Sequence, residues 1–315
     1  MRKLTACILA CQLMIGILSG CGKQETKPLQ DKEENAAVIF TDDLGREISV
    51  SKADRTVAMI GSFADIWCLA GGKDSLVATA NDAWTSFDLD LGENVINIGT
   101  TKDPSLEAVF SAEPDFVICS TNTAADVELE NTFAQAGITA AYFDVEHFDD
   151  YLRMLDICTR ITGCRDRYET YGTEVLKQVE TARKMADGST PRVLYIRASG
   201  SSCTVKGSSG NLLGEMLADL GCVNVADSDK TFLENLSMEG VLEADPEYIF
   251  AVLQGADDTD ARKMLESTLL SNPAWQTLTA VKEDRFYVLE NSLYNLKPNA
   301  EWGYAYEKLA NILYG

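Results

Sequence analysis

The chain has 315 residues, 46% of them hydrophobic, with 49 Asp and Glu against 27 Lys and Arg and a formal net charge of −22. That length is too great for one small core and suits two α/β lobes, while a mean hydropathy near zero excludes a bundle of membrane helices. The acidic balance excludes nucleic acid as a partner, because neutralising phosphates needs a basic surface.

MRKLTACILACQLMIGILSGCGKQ opens on Arg2 and Lys3, runs largely apolar from Leu4 to Leu18 and ends in Leu18-Ser19-Gly20-Cys21. A basic start, a short apolar core and small residues before a cut site describe a secretory signal. The run is shorter than the roughly 20 apolar residues that a spanning helix needs. Its last four residues resemble the bacterial lipobox, which makes Cys21 the expected lipidation site and residues 1–20 the signal peptide. GKQETKPLQDKEEN is polar and nearly free of large apolar side chains, so residues 21–36 read as a flexible tether. The body is therefore expected outside the cytoplasmic membrane, anchored to its outer face through Cys21.

Structure is predicted to begin at AVIFTDDLGREISV, two short strands around a Leu-Gly turn. TVAMI (56–60) reads as a buried strand, SFADIWCLAG (62–71) as a helix closed by Gly71, and SLVATA (75–80) as another strand. SLEAVFSAEPDFVI at 105–118 then returns, 132 residues later, as SMEGVLEADPEYIF at 237–250. In each copy a serine suits an N-cap, two helical turns follow, proline ends them, and an apolar run (FVIC, YIFAVL) reads as a fully buried strand. Each copy precedes a further predicted helix, at 124–136 and at 258–269, and GITAAYFDV (137–145) closes the first set.

From Asp149 to Asp187 the spacing is helical, with a break only at Thr162-Gly163-Cys164. PRVLYIRASG (191–200), NLLGEMLADLG, the second copy, RFYVL (285–289) and a final helix near 301–313 make up a second set. The expected fold is α/β: two lobes of mostly parallel sheet, 37–147 and 188–315, joined by a helical connector at 148–187, with a ligand cleft between them. Such sheets bind ligands beyond the carboxyl ends of their strands. Six cysteines lie in the body, and irregular spacing without a CxxC favours buried free thiols; Cys158 and Cys164 are the one pair to test as a local disulfide.

These markers in this order (DDLGR, the duplicated phrase, NLLGEMLADLGCVNVAD, NPAWQTLTAVKEDRFYVL and LYNLKPNAEWGYAYEKLANILYG) resemble the helical-backbone class of bacterial ABC-transporter substrate-binding proteins, over nearly the whole mature chain. The resemblance implies a monomeric receptor with no intrinsic cofactor and no catalysis. Its guest would be a ferric siderophore, haem or a corrinoid such as cobalamin. Its partner would be an ABC permease with its ATPase subunits, gripped by one exposed glutamate per lobe, here Glu107 and Glu239. From the residues alone, a glutamate in a first helical turn is also favoured by the helix dipole. Neither copy has the Ser-x-x-Glu capping box, since Ala108 and Gly240 stand in the fourth position. The chain departs from the family pattern at Ala300-Glu301, where many siderophore binders carry a basic residue, and this keeps haem and corrinoids open.

Residues just past strand ends are the candidate cleft lining: Ser62 and Phe63, Asn81 and Trp84, Asn122, Arg197 and Tyr294. Aromatics with one or two cations suit a flat or anionic guest, and Arg197 stands out because an unpaired strand-end arginine is costly to bury. Phe63, Trp84 and Tyr294 would equally serve ordinary packing. His147, in DVEHFDD, would touch ligand or haem iron, or else cap the connector helix. One histidine cannot build a clustered-His zinc or manganese site, a His triad or a zincin, and no HExxH or GxSxG motif is present. The Gly/Ser-rich ASGSSCTVKGSSGN (198–211) lacks the Gly-Lys-Ser/Thr ending of a phosphate loop and reads as a cleft-facing loop. The alternative from another class is a two-lobed tetrapyrrole- or metal-handling enzyme or metallochaperone at the cell surface, which would place a thiolate or a perturbed acid–base group in the cleft.

Overall fold

The computed structural model describes residues 37–315 except 88, 229, 235 and 256. The expected signal peptide, the tether and Cys21 lie outside the described residues. β1 (Val38–Thr41) and β2 (Glu47–Val50) form the antiparallel hairpin expected of DDLGR. Asp42 fixes its turn: one carboxylate oxygen accepts from the N–H groups of Leu44 (3.1 Å) and Arg46 (2.9 Å). The Arg46 guanidinium donates to Ala140 O at 3.0 Å, which pins the hairpin onto the first sheet.

That sheet holds β3 (Thr56–Ala58), β4 (Leu76–Thr79), β5 (Ile96–Asn97), β8 (Phe116–Ser120) and β9 (Thr139–Phe143). A small hairpin, β6 (Gly99–Thr100) and β7 (Asp103–Pro104), follows β5. The order is β5-β4-β3-β8-β9 and every neighbour is parallel. Helices cover both faces, so β8 is buried along its whole length. Val117 and Cys119 enter one apolar cluster while Phe116 and Ile118 enter the other. This two-sided burial is why FVIC reads as an unbroken apolar run.

The second sheet contains β10 (Arg192–Ala198), β11 (Cys203–Lys206), β12 (Val223–Asn224), β13 (Tyr248–Leu253) and β14 (Phe286–Leu289). β13 pairs in parallel with both β10 and β14, and β12 with β10. β11 corrects the sequence expectation. The stretch 198–211, which reads as one loop, contains a strand antiparallel to β10, Arg197 facing Thr204 and Tyr195 facing Lys206. Thr204 and Val205 carry the β-preference, but four residues flanked by serines and glycines gave too short a run to stand out.

The connector begins with the helix Phe148–Thr162, closed by Gly163 in the left-handed region (φ 75°). A second helical run, Arg165–Arg183, follows with a wide turn at Glu169–Thr173. The C-terminal helix Trp302–Tyr314 lies along this run so closely that a Cβ on Gly303 would overlap Gln178. One continuous core threads the molecule: Phe63, Trp67 and Phe143 from the first lobe, Tyr151 and Leu155 from the connector, and Tyr195, Phe250 and Trp302 from the second. The joint is packed, not a free hinge.

The duplicated phrase is a duplicated structure. Helices Leu106–Ser111 and Met238–Ala244 are each capped by serine, with Ser105 Oγ accepting from Ala108 N–H and Ser237 Oγ from Gly240 N–H, both at 3.2 Å. Each helix is followed by a non-glycine residue at positive φ, Glu113 (47°) and Asp245 (33°). An arginine beside each sheet closes the helix end: Arg55, just before β3, donates to Ala112 O (3.0 Å from Nε), and Arg192, the first residue of β10, to Ala244 O (2.6 Å). The same arginines accept from Asp115 N–H (3.0 Å) and Glu247 N–H (2.9 Å) through their carbonyls. The duplication thus reaches the hydrogen bonds that hold each helix to its sheet.

Candidate ligand cleft and docking faces

A cavity of about 340 Å³ opens where the carboxyl ends of the two sheets face each other. Asn122, Val145 and Glu146 form its first-lobe wall. The second lobe contributes Tyr195 and Arg197 of β10, the turn Gly210–Leu212, and the segment Tyr294–Lys297 after β14. This is the location that parallel strands prescribe for a ligand.

Arg197 is the sharpest group in it. Its side chain is partly exposed, and its Nη1 donates to Asn295 Oδ1 at 3.1 Å. Asn295 Oδ1 also accepts from Gln254 Nε2 at 3.2 Å, so the arginine is braced by an amide. Among the described residues Arg197 has no carboxylate partner, although the chain is rich in acids. Lys206, across the β10–β11 pair, has its ammonium pushed down by burial and then by the Arg197 charge. Opposite them, Asn122 Nδ2 donates to Asp144 Oδ1 at 2.7 Å, which orients it at the cavity edge.

Lys297 crosses from the second lobe to the first. Its Nζ donates to Val145 O at 2.5 Å. Burial pushes this ammonium down, against the pull of Asp144, Glu146 and Asp150. Two residues on, Asn299 is buried in the left-handed region (φ 50°). Its Nδ2 donates to Ser62 O (2.9 Å) and Asp65 Oδ2 (2.7 Å). The segment 295–299 therefore braces Arg197 and ties the lobes together. Asn295 and Lys297 are not among the expected cleft residues; their one signal in the sequence is a lysine followed by Pro-Asn just past the last strand.

Of the expected cleft residues, Asn122, Arg197 and Tyr294 border the cavity. The Tyr294 ring, however, is fully buried, and its hydroxyl donates to Ala305 O at 3.0 Å. Phe63 packs edge-to-face on Phe143 with no exposure, so its ring belongs to the core. The reason is local: the helix Gly61–Trp67 starts almost directly after β3 and turns its third residue inward. Ser62 is buried too and offers its carbonyl to Asn299. Asn81 and Trp84 sit at the helix Asp82–Thr85 and do not border this cavity; Asn81 N–H donates to Gly99 O and Trp84 packs on the first-lobe core.

His147 stands at the N-cap of the connector helix, with its backbone N–H donating to Asp150 Oδ2 at 2.9 Å. Its exposed ring lies in an adjoining recess of about 280 Å³, with Nδ1 3.8 Å from Glu215 Oε2. The six described cysteines are free, Cys158 and Cys164 included, and none lines the cleft cavity. Burial pushes the thiols of Cys68 and Cys222 up to about 12 and that of Cys203 to about 11, which disfavours the thiolate at these three positions.

Glu107 and Glu239 occupy the same place in the two duplicated helices, both exposed and neither in an ion pair among the described residues.

Two lobes of mainly parallel sheet, a packed helical joint and a cleft at the strand ends define a two-lobed binding protein. A family model described as periplasmic binding protein matches residues 57–293, and the chain belongs to that family, whose members bind and deliver solutes and are not enzymes. It is similar to the iron-uptake system-binding protein of Bacillus subtilis (strain 168), 25% identical over 229 residues that make up 70% of this chain and 67% of that protein. It is also similar to the high-affinity heme uptake system protein IsdE of Staphylococcus aureus (strain MRSA252), 22% identical over 229 residues, 70% of this chain and 75% of that one. Among solved structures, the TroA-like periplasmic binding protein FepB from Veillonella parvula superposes with a TM-score of 0.71 at 17% identity, over 88% of this chain and 90% of that chain.

Proposed function

We propose that this chain is the receptor of an ABC importer, lipid-anchored at Cys21 outside the cell membrane. It captures an iron chelate with anionic groups and hands it to the permease, which Glu107 and Glu239 engage. The observation that carries the ligand class is Arg197: a guanidinium in the cleft, braced by Asn295, with no carboxylate partner among the described residues. A guanidinium in that state is answered by a carboxylate or phenolate of the guest through a charge-assisted hydrogen bond. A ferric siderophore supplies such groups around its metal, and haem supplies them as propionates; a corrinoid presents mainly amides.

The iron and heme systems of the two relatives support the same class. The cavity's 340 Å³ stands at the low end of the roughly 300–1,000 Å³ typical of ligand pockets. In this reading it takes the anionic edge of the chelate while the rest fills the cleft mouth. Arg197, Asn122 and Lys297 are the contacts this reading rests on, with the exposed His147 in the adjoining recess second to them.

The test is a titration of the purified protein with ferric siderophores, haem and cobalamin in turn, followed by tryptophan fluorescence and visible absorption. Saturable one-to-one binding of an anionic iron chelate is the expected result. Binding of cobalamin alone, or of none of the three, would overturn the ligand class while leaving the fold assignment intact.

A further inference from the structure

Among the described residues, six large apolar side chains stand exposed: Ile39, Phe110, Val223, Leu242, Val288 and Tyr304. Two of the six occupy the same position of the duplicated phrase. Phe110 is 38% exposed and Leu242 is 37% exposed. Each follows its glutamate by three residues, so Glu107 and Phe110, and likewise Glu239 and Leu242, neighbour each other on one face of their helix. The residue just before each, Val109 or Val241, is fully buried and anchors the helix.

Scattered exposed apolar side chains are ordinary on protein surfaces. Coincidence of position is not, and the neighbouring places show why. The next exposed residue is Ser111 in one copy and Glu243 in the other, so the surface of the two helices is free to differ in polarity. At 110 and 242 the residue changes in shape but remains large and apolar. Each leaves more than a third of its surface in water, where its own fold gives it no partner, and phenylalanine is a mediocre helix former.

We infer that Phe110 and Leu242 are the apolar halves of a paired docking surface. Its acidic halves are Glu107 and Glu239, and its partner is a membrane permease that presents two like sockets, each a cation beside an apolar recess. The inference rests on the docking reading proposed above and adds to it what the sockets must contain and that they come as a pair. An exposed carboxylate–cation pair is worth little in water. Covering an adjacent apolar side chain excludes water around the pair, which strengthens the charge interaction and adds burial of its own. The serine caps, left-handed terminal residues and arginine clamps are the same in both lobes. Both helices therefore offer one shape, which suits two copies of one subunit or two like halves of a single chain.

The experiment uses the full lipid-anchored chain and the permease–ATPase complex in nanodiscs, and measures docking affinity, ligand affinity and Tm. Phe110→Ser and Leu242→Ser should each weaken docking about 5- to 10-fold, and the double variant more than 25-fold, with ligand affinity and Tm unchanged. Phe110→Leu and Leu242→Phe should dock like the parent. A photo-crosslinker at position 110 and one at 242 should label the same kind of permease chain. If Glu107→Ala and Glu239→Ala abolish docking while both serine variants dock normally, the apolar sockets are refuted and the docking reading survives. If neither the glutamate nor the serine variants affect docking, both fall. Serine variants that lose docking only together with ligand affinity or Tm would assign these side chains to the fold and overturn the inference, as would crosslinks to two unrelated chains.

Discussion

The duplicated helices of the two lobes share their backbone supports, whereas the cleft walls of the lobes are unlike. Glu107 and Glu239 stand on helices with the same caps, the same left-handed exits and the same arginine clamps. Across the cleft, the first lobe offers Asn122, Val145 and Glu146, while the second offers Arg197, Asn295 and Lys297. In the proposed reading, the duplicated helices meet their partner twice in the same way, and the unlike cleft walls hold one asymmetric guest from two sides. In that reading the cations on one wall of the cleft, Arg197 and Lys297, receive the anionic edge of the guest.

The largest effect expected from breaking the symmetric half is total. Glu107→Ala with Glu239→Ala should abolish uptake into cells while ligand affinity, measured by fluorescence titration, stays at the parent value; a fall in affinity would move these residues out of the docking role. On the asymmetric half, Arg197→Ala should weaken binding of an anionic chelate by more than about 1.5 kcal/mol, roughly tenfold, the lower range for a hydrogen bond to a charged group. Arg197→Lys should recover only part of this, because an ammonium cannot reproduce the planar fork of the guanidinium. Equal affinity in all three proteins would remove Arg197 from the site.

The symmetric half was the more legible in sequence. SLEAVFSAEPDFVI and SMEGVLEADPEYIF could be laid on each other because helix capping, proline stops and two-sided strand burial are local rules with fixed spacing. The connector break at Thr162-Gly163-Cys164 was legible for the same reason, Gly163 being the residue that takes the left-handed exit. The cleft was half legible. Strand ends located Arg197 and Asn122, but the same rule chose Phe63, whose direction is set by the immediate start of its helix and by Phe143. Asn295 and Lys297 reach the cleft because the chain after β14 crosses back to the first lobe, a path that no local pattern encodes. β11 escaped because four strand residues among serines and glycines form too short a run.

That crossing segment can be tested on its own. Lys297 is the one described cation that reaches across the cleft to a backbone carbonyl, Val145 O, with Asp144, Glu146 and Asp150 around it. Lys297→Met keeps the aliphatic stem and removes the charge, leaving the carbonyl without this donor and the carboxylates unbalanced. The expected cost is about 1–2 kcal/mol in urea unfolding, in the range for a buried hydrogen bond lost on one side. An unchanged or raised midpoint would mean that desolvating the ammonium cancels what its contacts supply.

A pH-dependent effect separates the first-lobe wall from its support. Asp126 is buried with no exposure: one carboxylate oxygen accepts from Ser120 N–H at 2.8 Å and the other has no partner in the protein. Burial raises its pKa to about 7, opposed by the Ser120 hydrogen bond and aided by the nearby charge of Asp82; Cys119 and Tyr142 are the other titratable groups packed around it. A carboxyl raised above its unfolded value of about 4 binds its proton more tightly in the folded state. Its contribution to stability is therefore fully present below pH about 4 and is lost as the pH rises through about 7. Asp126→Asn retains an acceptor for Ser120 and has no proton to lose. It should flatten the decline in unfolding free energy between about pH 4 and 7, by on the order of 4 kcal/mol at the upper end. Ser120 Oγ in turn accepts from Asn122 N–H at 3.2 Å, so the same variant should leave the Asn122 wall in place and ligand affinity unchanged. A parent and variant with parallel stability profiles would show that Asp126 stays ionised, and that the field of the first-lobe wall is more negative than the cleft cations alone suggest.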